Sequence, residues 1–308
     1  MDYEYHKSVL VKQVLSGLNA KNARLVCDAT LGDGGYSLEL LKVMPEDGLV
    51  IGIDRDPQAI ARAQERLYKF KDRFKAFKGN FRDIEEIVTA MGINEVDGIV
   101  ADLGVSRLQI SDPKRGFMFI KSGPLLMNMG DDSDVNAETV VNEYDGKKLA
   151  RIFWEYGEER ASKKIANAIL KYRQNKRIET TDQLVNIIRR VVSSRYEIKT
   201  FARIFQSLRI FINREIENLK FFLPTAVNLL KQNGYLAIVS YHSLEDRVVK
   251  QFMREQADPC TCSKDLPRCV CGKKPTIKII GKMIIPDEEE TRLNPSSRSG
   301  KLRICQKI

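Results

Sequence analysis

The stretch DATLGDGGYS, residues 28–37, follows a short apolar run, LVC at 25–27, and leads into the helix-like SLELLKVM at 37–44. Gly32, Gly34 and Gly35 crowd the turn between that strand and that helix. A glycine-rich turn of this kind brings backbone amides close to a nucleotide-like ligand. The same local geometry serves a dinucleotide, a nucleoside triphosphate or S-adenosylmethionine, and each implies a different enzyme. A dinucleotide fingerprint needs a third glycine where helix and strand pack closely, and Ser37 stands there. A phosphate loop ends in Gly-Lys-Ser/Thr, and this turn does not.

The residues on either side favour S-adenosylmethionine. Short runs rich in apolar and β-branched residues at 24–30, 48–54, 73–79 and 96–104 read as strands. Helix-like segments at 37–44, 57–70 and 83–91 alternate with them, and the one at 57 opens on Asp56 as cap with Pro57 in its first turn. This alternation implies βαβ units, a parallel sheet, and a ligand site along the carboxyl ends of the strands. Asp28 closes the first strand and sits beside the glycine turn, offering an acidic group to ammonium and sulfonium charges. Asp54 closes the second, placed to accept the hydroxyls of an adenosyl ribose. Phe81 follows the third, as an adenine platform or as a core residue. Asp102 ends the fourth, beside the expected methyl donor.

Beyond Ser106 the pattern changes. A loop-rich segment gives way to helical periodicity at 147–156, 161–172 and 182–192, the last after a Thr181 cap, and at about 201–230, bent or broken near Pro224. Strand signal returns at 235–241 and 301–307. The expected organisation is one α/β domain formed by 1–112 and 213–308, interrupted by a mainly helical substrate-recognition insertion, 113–212. Residues 147–220 hold 18 Lys/Arg against 8 Asp/Glu, an excess equal to the +10 of the whole chain. Such a localised excess is the footprint of a polyanion-binding surface or of a solvated helical face. Lys163, Lys164, Arg189, Arg190 and Arg203 are the candidates for holding a nucleic-acid backbone. The 43% hydrophobic and 30% charged content is that of a globular protein. No apolar run approaches the ~18 residues of a membrane span, and MDYEYHKSVL lacks the pattern of a signal peptide, so a cytoplasmic location is expected. Six cysteines there should be reduced.

The motifs in their order, HKSVL, DATLGDGGYS, IGIDRDPQAI, GNF, VDGIVADLGVS, PKRGFMF, YGEERASKKIANAI, FQSLRI, SYHSLEDRVVK and NPSSRSGKLR, resemble the bacterial MraW (RsmH) methyltransferase family over essentially the whole chain. The resemblance implies a class I (Rossmann-like) S-adenosylmethionine-dependent methyltransferase with an inserted helical domain. It implies action on the N4 amino group of a cytosine in the decoding region of 16S rRNA, with the small ribosomal subunit as partner and no membrane. The family's donor-binding residues fall on Gly34, Gly35, Tyr36, Asp54, Phe81, Asp102 and Gln109, of which Tyr36 and Gln109 come from the resemblance alone. Asp33, Tyr36 and Arg107 depart from the usual family pattern, and Leu126 and Asn128 in GPLLMNM stand where it has an acidic and a basic residue. That leaves open a member that binds rRNA without methylating it, or that methylates a different nucleic acid.

Two catalytic candidates follow. Asp102 can accept a hydrogen bond from the amino group as its nitrogen attacks, or belong to the donor site alone. His242, at the end of the 235–241 strand, contacts the target nucleotide or serves as a structural hydrogen-bonder, while Glu245 and Asp246 are expected to cap the next helix. The pairs Cys260-x-Cys262 and Cys269-x-Cys271 invite a zinc reading. Their one-residue spacing is tighter than that of usual structural sites, so four reduced thiols in a loop are expected and no metal ligand is assigned.

Overall fold

The protein is seen in a computed structural model that describes residues 5, 7–131, 133–262 and 270–308. The chain divides into two compact units, Met1–Gly104 with Ile216–Ile308, and Val105–Glu215. The helical unit thus begins eight residues earlier and ends three later than the 113–212 read from periodicity.

The first unit runs α1 (Val11–Gly17), β1 (Leu25–Asp28), α2 (Gly35–Val43), β2 (Leu49–Asp54), α3 (Pro57–Arg66), β3 (Phe74–Lys78), α4 (Ile84–Thr89) and β4 (Val96–Asp102). The second supplies α5 (Arg107–Ser111), α6 (Ala137–Glu143), α7 (Gly146–Glu155), α8 (Ser162–Arg173), α9 (Thr181–Arg189) and α10 (Glu197–Asn213). The chain then completes the first unit with α11 (Glu215–Leu229), β5 (Leu230–Ser240), α12 (Ser243–Ala257), β6 (Ile277–Ile279), α13 (Glu288–Leu293) and β7 (Lys301–Lys307).

The seven strands form one sheet in the order β3-β2-β1-β4-β5-β7-β6. The first five are parallel, and β7 runs antiparallel to both β5 and β6. The order reverses at β1, so β1 and β4 flank the switch point where doubly wound sheets bind ligands. Both faces are covered. One carries Ile51, Ile53, Ile99, Ala101, Phe222, Leu223 and Val249, the other Val26, Val50, Val100, Val239, Leu40 and Leu41. Near-continuous apolar strands such as LVIGID are what two-sided burial requires.

In the helical unit Leu149, Ile152 and Phe153 of α7, Ile165 and Ile169 of α8, Leu184 and Ile188 of α9, and Phe201 through Ile212 of α10 build a separate core. Burying each such side chain stabilises by roughly 1.5–3 kcal/mol. The cap of α9 is Thr180, one residue before the expected Thr181, and it forms a reciprocal capping box with Gln183. The expected break at Pro224 is also corrected. Helix α10 ends at Arg214, which is left-handed at φ 51°, and Pro224 lies inside α11. Asn213 fixes the break, accepting from Met129 N at 2.8 Å and donating to Met127 O at 2.8 Å and Arg209 O at 2.9 Å. A bidentate Arg209–Glu215 pair, at 2.8 and 2.9 Å, spans it. Among the described residues no helix is long and apolar enough to cross a membrane.

Candidate functional site

The glycine turn is built by backbone that most residues resist. Gly32 and Gly34 have φ of 50° and 74°, and Gly34 N closes the turn on Leu31 O at 2.8 Å. A Cβ on Gly34 would also stand 3.0 Å from Leu67 Cδ1, and one on Gly35 would meet Ser8 Oγ at 2.1 Å. Gly34 caps α2, so the amides of Gly35 and Tyr36 open the helix, where they lack intrahelical acceptors.

Three carboxylates line the carboxyl edge of the sheet. Asp54 accepts from Gly32 N at 2.8 Å with one oxygen and from Asp56 N at 2.9 Å with the other, tying β2 to the glycine turn. Asp28 is fully buried, and its Oδ2 accepts from Ser37 Oγ at 2.7 Å. Ser37, read from sequence as the absence of a glycine, is thus the partner of the acid that ends β1. Asp102 N donates to Thr30 Oγ1 at 2.6 Å, and its carboxylate takes a hydrogen bond from Tyr241. Oδ1 of Asp28 and Oδ1 of Asp102 are occluded from water and have no hydrogen-bond partner among the described residues.

These acids are electrostatically uncomfortable. Burial, opposed in part by hydrogen bonds, lifts Asp28 and Asp54 from 3.8 to about 6, and the charge of Asp54 adds to the rise at Asp28. Burial, with the charges of Asp28 and Glu245, lifts Asp102 to about 7 against the Tyr241 hydrogen bond. A cation placed among them would favour the charged carboxylates and offset the effect of burial. Because the folded chain holds these protons more tightly than the unfolded one, stability falls as pH rises from about 4 to about 7. The melting temperature of the ligand-free protein is therefore expected to drop between about pH 5 and pH 7.5, and less so in Asp102→Asn. A melting temperature that rises across that window in both proteins contradicts this.

The other candidates have separate placements. The Tyr36 side chain is buried in the core and its hydroxyl donates to Val9 O, so only its backbone remains to serve a ligand. Phe81 opens the turn after β3, half-buried, with its ring edge-on to Phe222 at 5.2 Å. Gln109 belongs to the helical unit, where its Oε1 accepts from Ser106 N at 3.0 Å and its Nε2 donates to Met129 O at 3.2 Å. His242 is the cap of α12: its Nδ1 accepts from Glu245 N at 3.4 Å, and Glu245 returns a bond to His242 N at 3.3 Å. His242 Nε2 lies 3.1 Å from Glu245 Oε1 without hydrogen-bond geometry. Asp246 does not cap α12 as expected. It pairs with Arg303 of β7 at 2.7 and 3.2 Å, with Lys301 of the same strand 3.8 Å away. Sequence reading missed Tyr241 and Thr30, the two partners of Asp102; the strand-end position of Tyr241 beside the SYHS turn was the available signal.

In the helical unit Lys163, Lys164, Arg189, Arg190 and Arg203 are all exposed. Arg189 meets Glu197 at 3.3 Å and Arg203 meets Glu159 at 3.4 Å. Asn128 donates to Val135 O at 2.9 Å, and Leu126 is 37% exposed.

A sheet of order 3-2-1-4-5-7-6 with one antiparallel strand inserted near its edge, a glycine turn at the switch point and acidic strand ends define a class I (Rossmann-like) methyltransferase. Residues 3–308 match the family model described as the MraW methylase family, and the chain belongs to that family. The ribosomal RNA small subunit methyltransferase H of Carboxydothermus hydrogenoformans is 44% identical over 306 residues, covering 98% of each chain. That of Heliobacterium mobile is 43% identical over 309 residues, covering 99% of each. A solved rRNA methylase from Streptococcus thermophilus aligns over 96% of this chain and 95% of its own at 10% identity, with a TM-score of 0.42, too distant a likeness to carry an argument.

Proposed function

We propose that the protein transfers a methyl group from S-adenosylmethionine to the N4 amino group of a cytosine in 16S rRNA, acting in the cytoplasm on the small ribosomal subunit. The observation that carries this is the convergence of Asp28, Asp54 and Asp102 on one sheet edge around the glycine turn, with carboxyls raised to about 6, 6 and 7. Membership of the MraW family, and relatives named as small-subunit ribosomal RNA methyltransferases, support an rRNA substrate.

The donor supplies an electrophilic methyl group on a cationic sulfur. Its charge suits the acidic edge, and the free amides of Gly35 and Tyr36 at the start of α2 suit its carboxylate end. Asp54 would take the ribose hydroxyls, the amides of Gly35 and Tyr36 the donor's carboxylate, and Phe81 a face of the adenine. Asp102 has the further task. The lone pair of a cytosine amino group is delocalised into the ring, so the nitrogen needs an acceptor that favours a tetrahedral form. The Asp102 carboxylate is assigned as that acceptor, oriented by the Tyr241 hydrogen bond, with its backbone amide tied to Thr30 Oγ1. Holding the amine in line with the methyl–sulfur bond contributes as much as about 7–11 kcal/mol in well-oriented cases. The base must leave its stack to arrive there, at a cost of a few kcal/mol. His242 acts through its cap on α12 rather than as a proton acceptor.

The helical unit is the part we assign to RNA. Lys163, Lys164 and Arg190, which form no ion pair among the described residues, are expected to contact phosphates, each contributing about −0.7 to the slope of log affinity against log salt on single-stranded RNA. Replacing the three with Ala should flatten that slope by about two units; an unchanged slope would remove them from the interface. Incubating labelled donor with small subunits that lack the modification tests the proposal as a whole. Label entering 16S rRNA supports it. Donor bound and no label transferred would instead favour the second reading, a binder that does not methylate, which the neutral Leu126 and Asn128 bring forward.

A further inference from the structure

The loop after α12 holds a cluster that methyl transfer does not use. Nineteen residues, 258–276, separate α12 from β6. The loop is pinned at its base, where Thr276 N donates to Gln256 O at 3.0 Å and Thr276 Oγ1 to Gln256 Oε1 at 2.6 Å. The segment is polar in sequence, and among its described residues Val270 is 77% exposed.

Three sulfurs converge in it all the same. Sγ of Cys260, Cys262 and Cys271 all lie within 4.8 Å of one another. Cys260 is exposed and the other two half-buried, so the convergence is not the ordinary burial of small apolar thiols. The separation of 4.0 Å between the Sγ atoms of Cys271 and Cys260 is about twice a disulfide bond. It is close to the ~3.8 Å between two sulfurs that each sit 2.3 Å from a tetrahedral zinc. Val270 N donates to Cys262 Sγ at 3.4 Å, the backbone hydrogen bond that favours a thiolate over a thiol.

We propose that Cys260, Cys262 and Cys271 are ligands of a structural zinc ion that orders this loop. Binding replaces three thiol protons by the metal, so the protons are released to solvent and the site weakens as pH falls. The one-residue Cys-x-Cys spacing that argued against zinc is accommodated because the third ligand arrives from nine residues further along, closing the loop on the pair. Cys269 of the second pair lies outside the described residues.

The test uses the full chain. Purified under reducing conditions and dialysed against metal-free buffer, it should keep about one zinc per chain. Exchange with Co²⁺ should give the strong visible and near-ultraviolet bands of tetrahedral thiolate ligation. X-ray absorption should show three or four sulfurs at about 2.3 Å. Cys260→Ser and Cys271→Ser should each lose the metal while Cys305→Ser, a buried thiol of β7 outside the cluster, keeps it. The proposal is overturned by wild-type protein that neither retains zinc nor develops the Co²⁺ bands, by a shell of nitrogen and oxygen alone, or by full zinc content in the Cys260→Ser, Cys271→Ser double variant. The wild-type spectra decide the matter even where a variant does not fold.

Discussion

Asp102→Asn lowers the turnover of methyl transfer by about 10²–10³, the range found when one preorganised group facing the reacting atoms is removed. The substitution keeps the shape of the side chain and the Thr30 and Tyr241 neighbours, so the fold is retained. It removes the charge that draws the amine nitrogen toward tetrahedral form. Donor affinity, read by calorimetry, should change much less than turnover, because Asp54 and the glycine turn do not depend on Asp102. Tyr241→Phe should show a smaller version of the same split, since it removes only the hydrogen bond that orients the carboxylate. Equal losses in donor affinity and turnover for Asp102→Asn would place this residue in the donor site alone.

Asp54→Ala acts at the earlier step. Hydrogen bonds to a charged group contribute about 1.5–3 kcal/mol each, so losing even one should weaken donor binding by roughly 10- to 150-fold. A second effect accompanies it. Gly32 N and Asp56 N both donate to this carboxylate, and leaving them unsatisfied costs about 1–3 kcal/mol each where water cannot reach. The melting temperature should therefore fall as well. Asp54→Asn keeps one acceptor oxygen, separating the two effects: it should recover part of the stability and little of the affinity. Donor affinity unchanged in both variants would remove Asp54 from the binding site.

The parts of the fold legible in the sequence were those set by period and by strand-end chemistry. The runs ending in Asp28, Asp54 and Asp102 read directly as buried parallel strands, and parallel strands joined by helices carry their terminal acids to one edge. What escaped had identifiable causes. β6 is three residues long and has no period to detect. The break between α10 and α11 falls on Arg214, a residue with no turn preference, and is set by the side chain of Asn213 reaching back to Met127 and Met129. Pro224 misled because a proline usually ends a helix. In α11 it removes one N–H whose partner carbonyl would belong to Lys220, an exposed position open to solvent. At the site, the turn glycines were legible because their φ demands them. Ser37 was legible only as a missing glycine, since its bond to Asp28 joins positions nine residues apart. The reading of Tyr36 as a contact came from likeness of position, and burial of its ring restricts it to its backbone.

Nucleoside analysis of the RNA after transfer tests the central claim most directly. Small subunits lacking the modification are incubated with the protein and isotopically labelled donor, and their 16S rRNA is digested and mapped by mass spectrometry. The proposed function predicts one labelled N4-methylcytidine, located in the decoding region, and the acceptor at Asp102 predicts that Asp102→Asn forms it about 10²–10³ times more slowly. A methyl group on a ring carbon, on another base, or at many positions would contradict it.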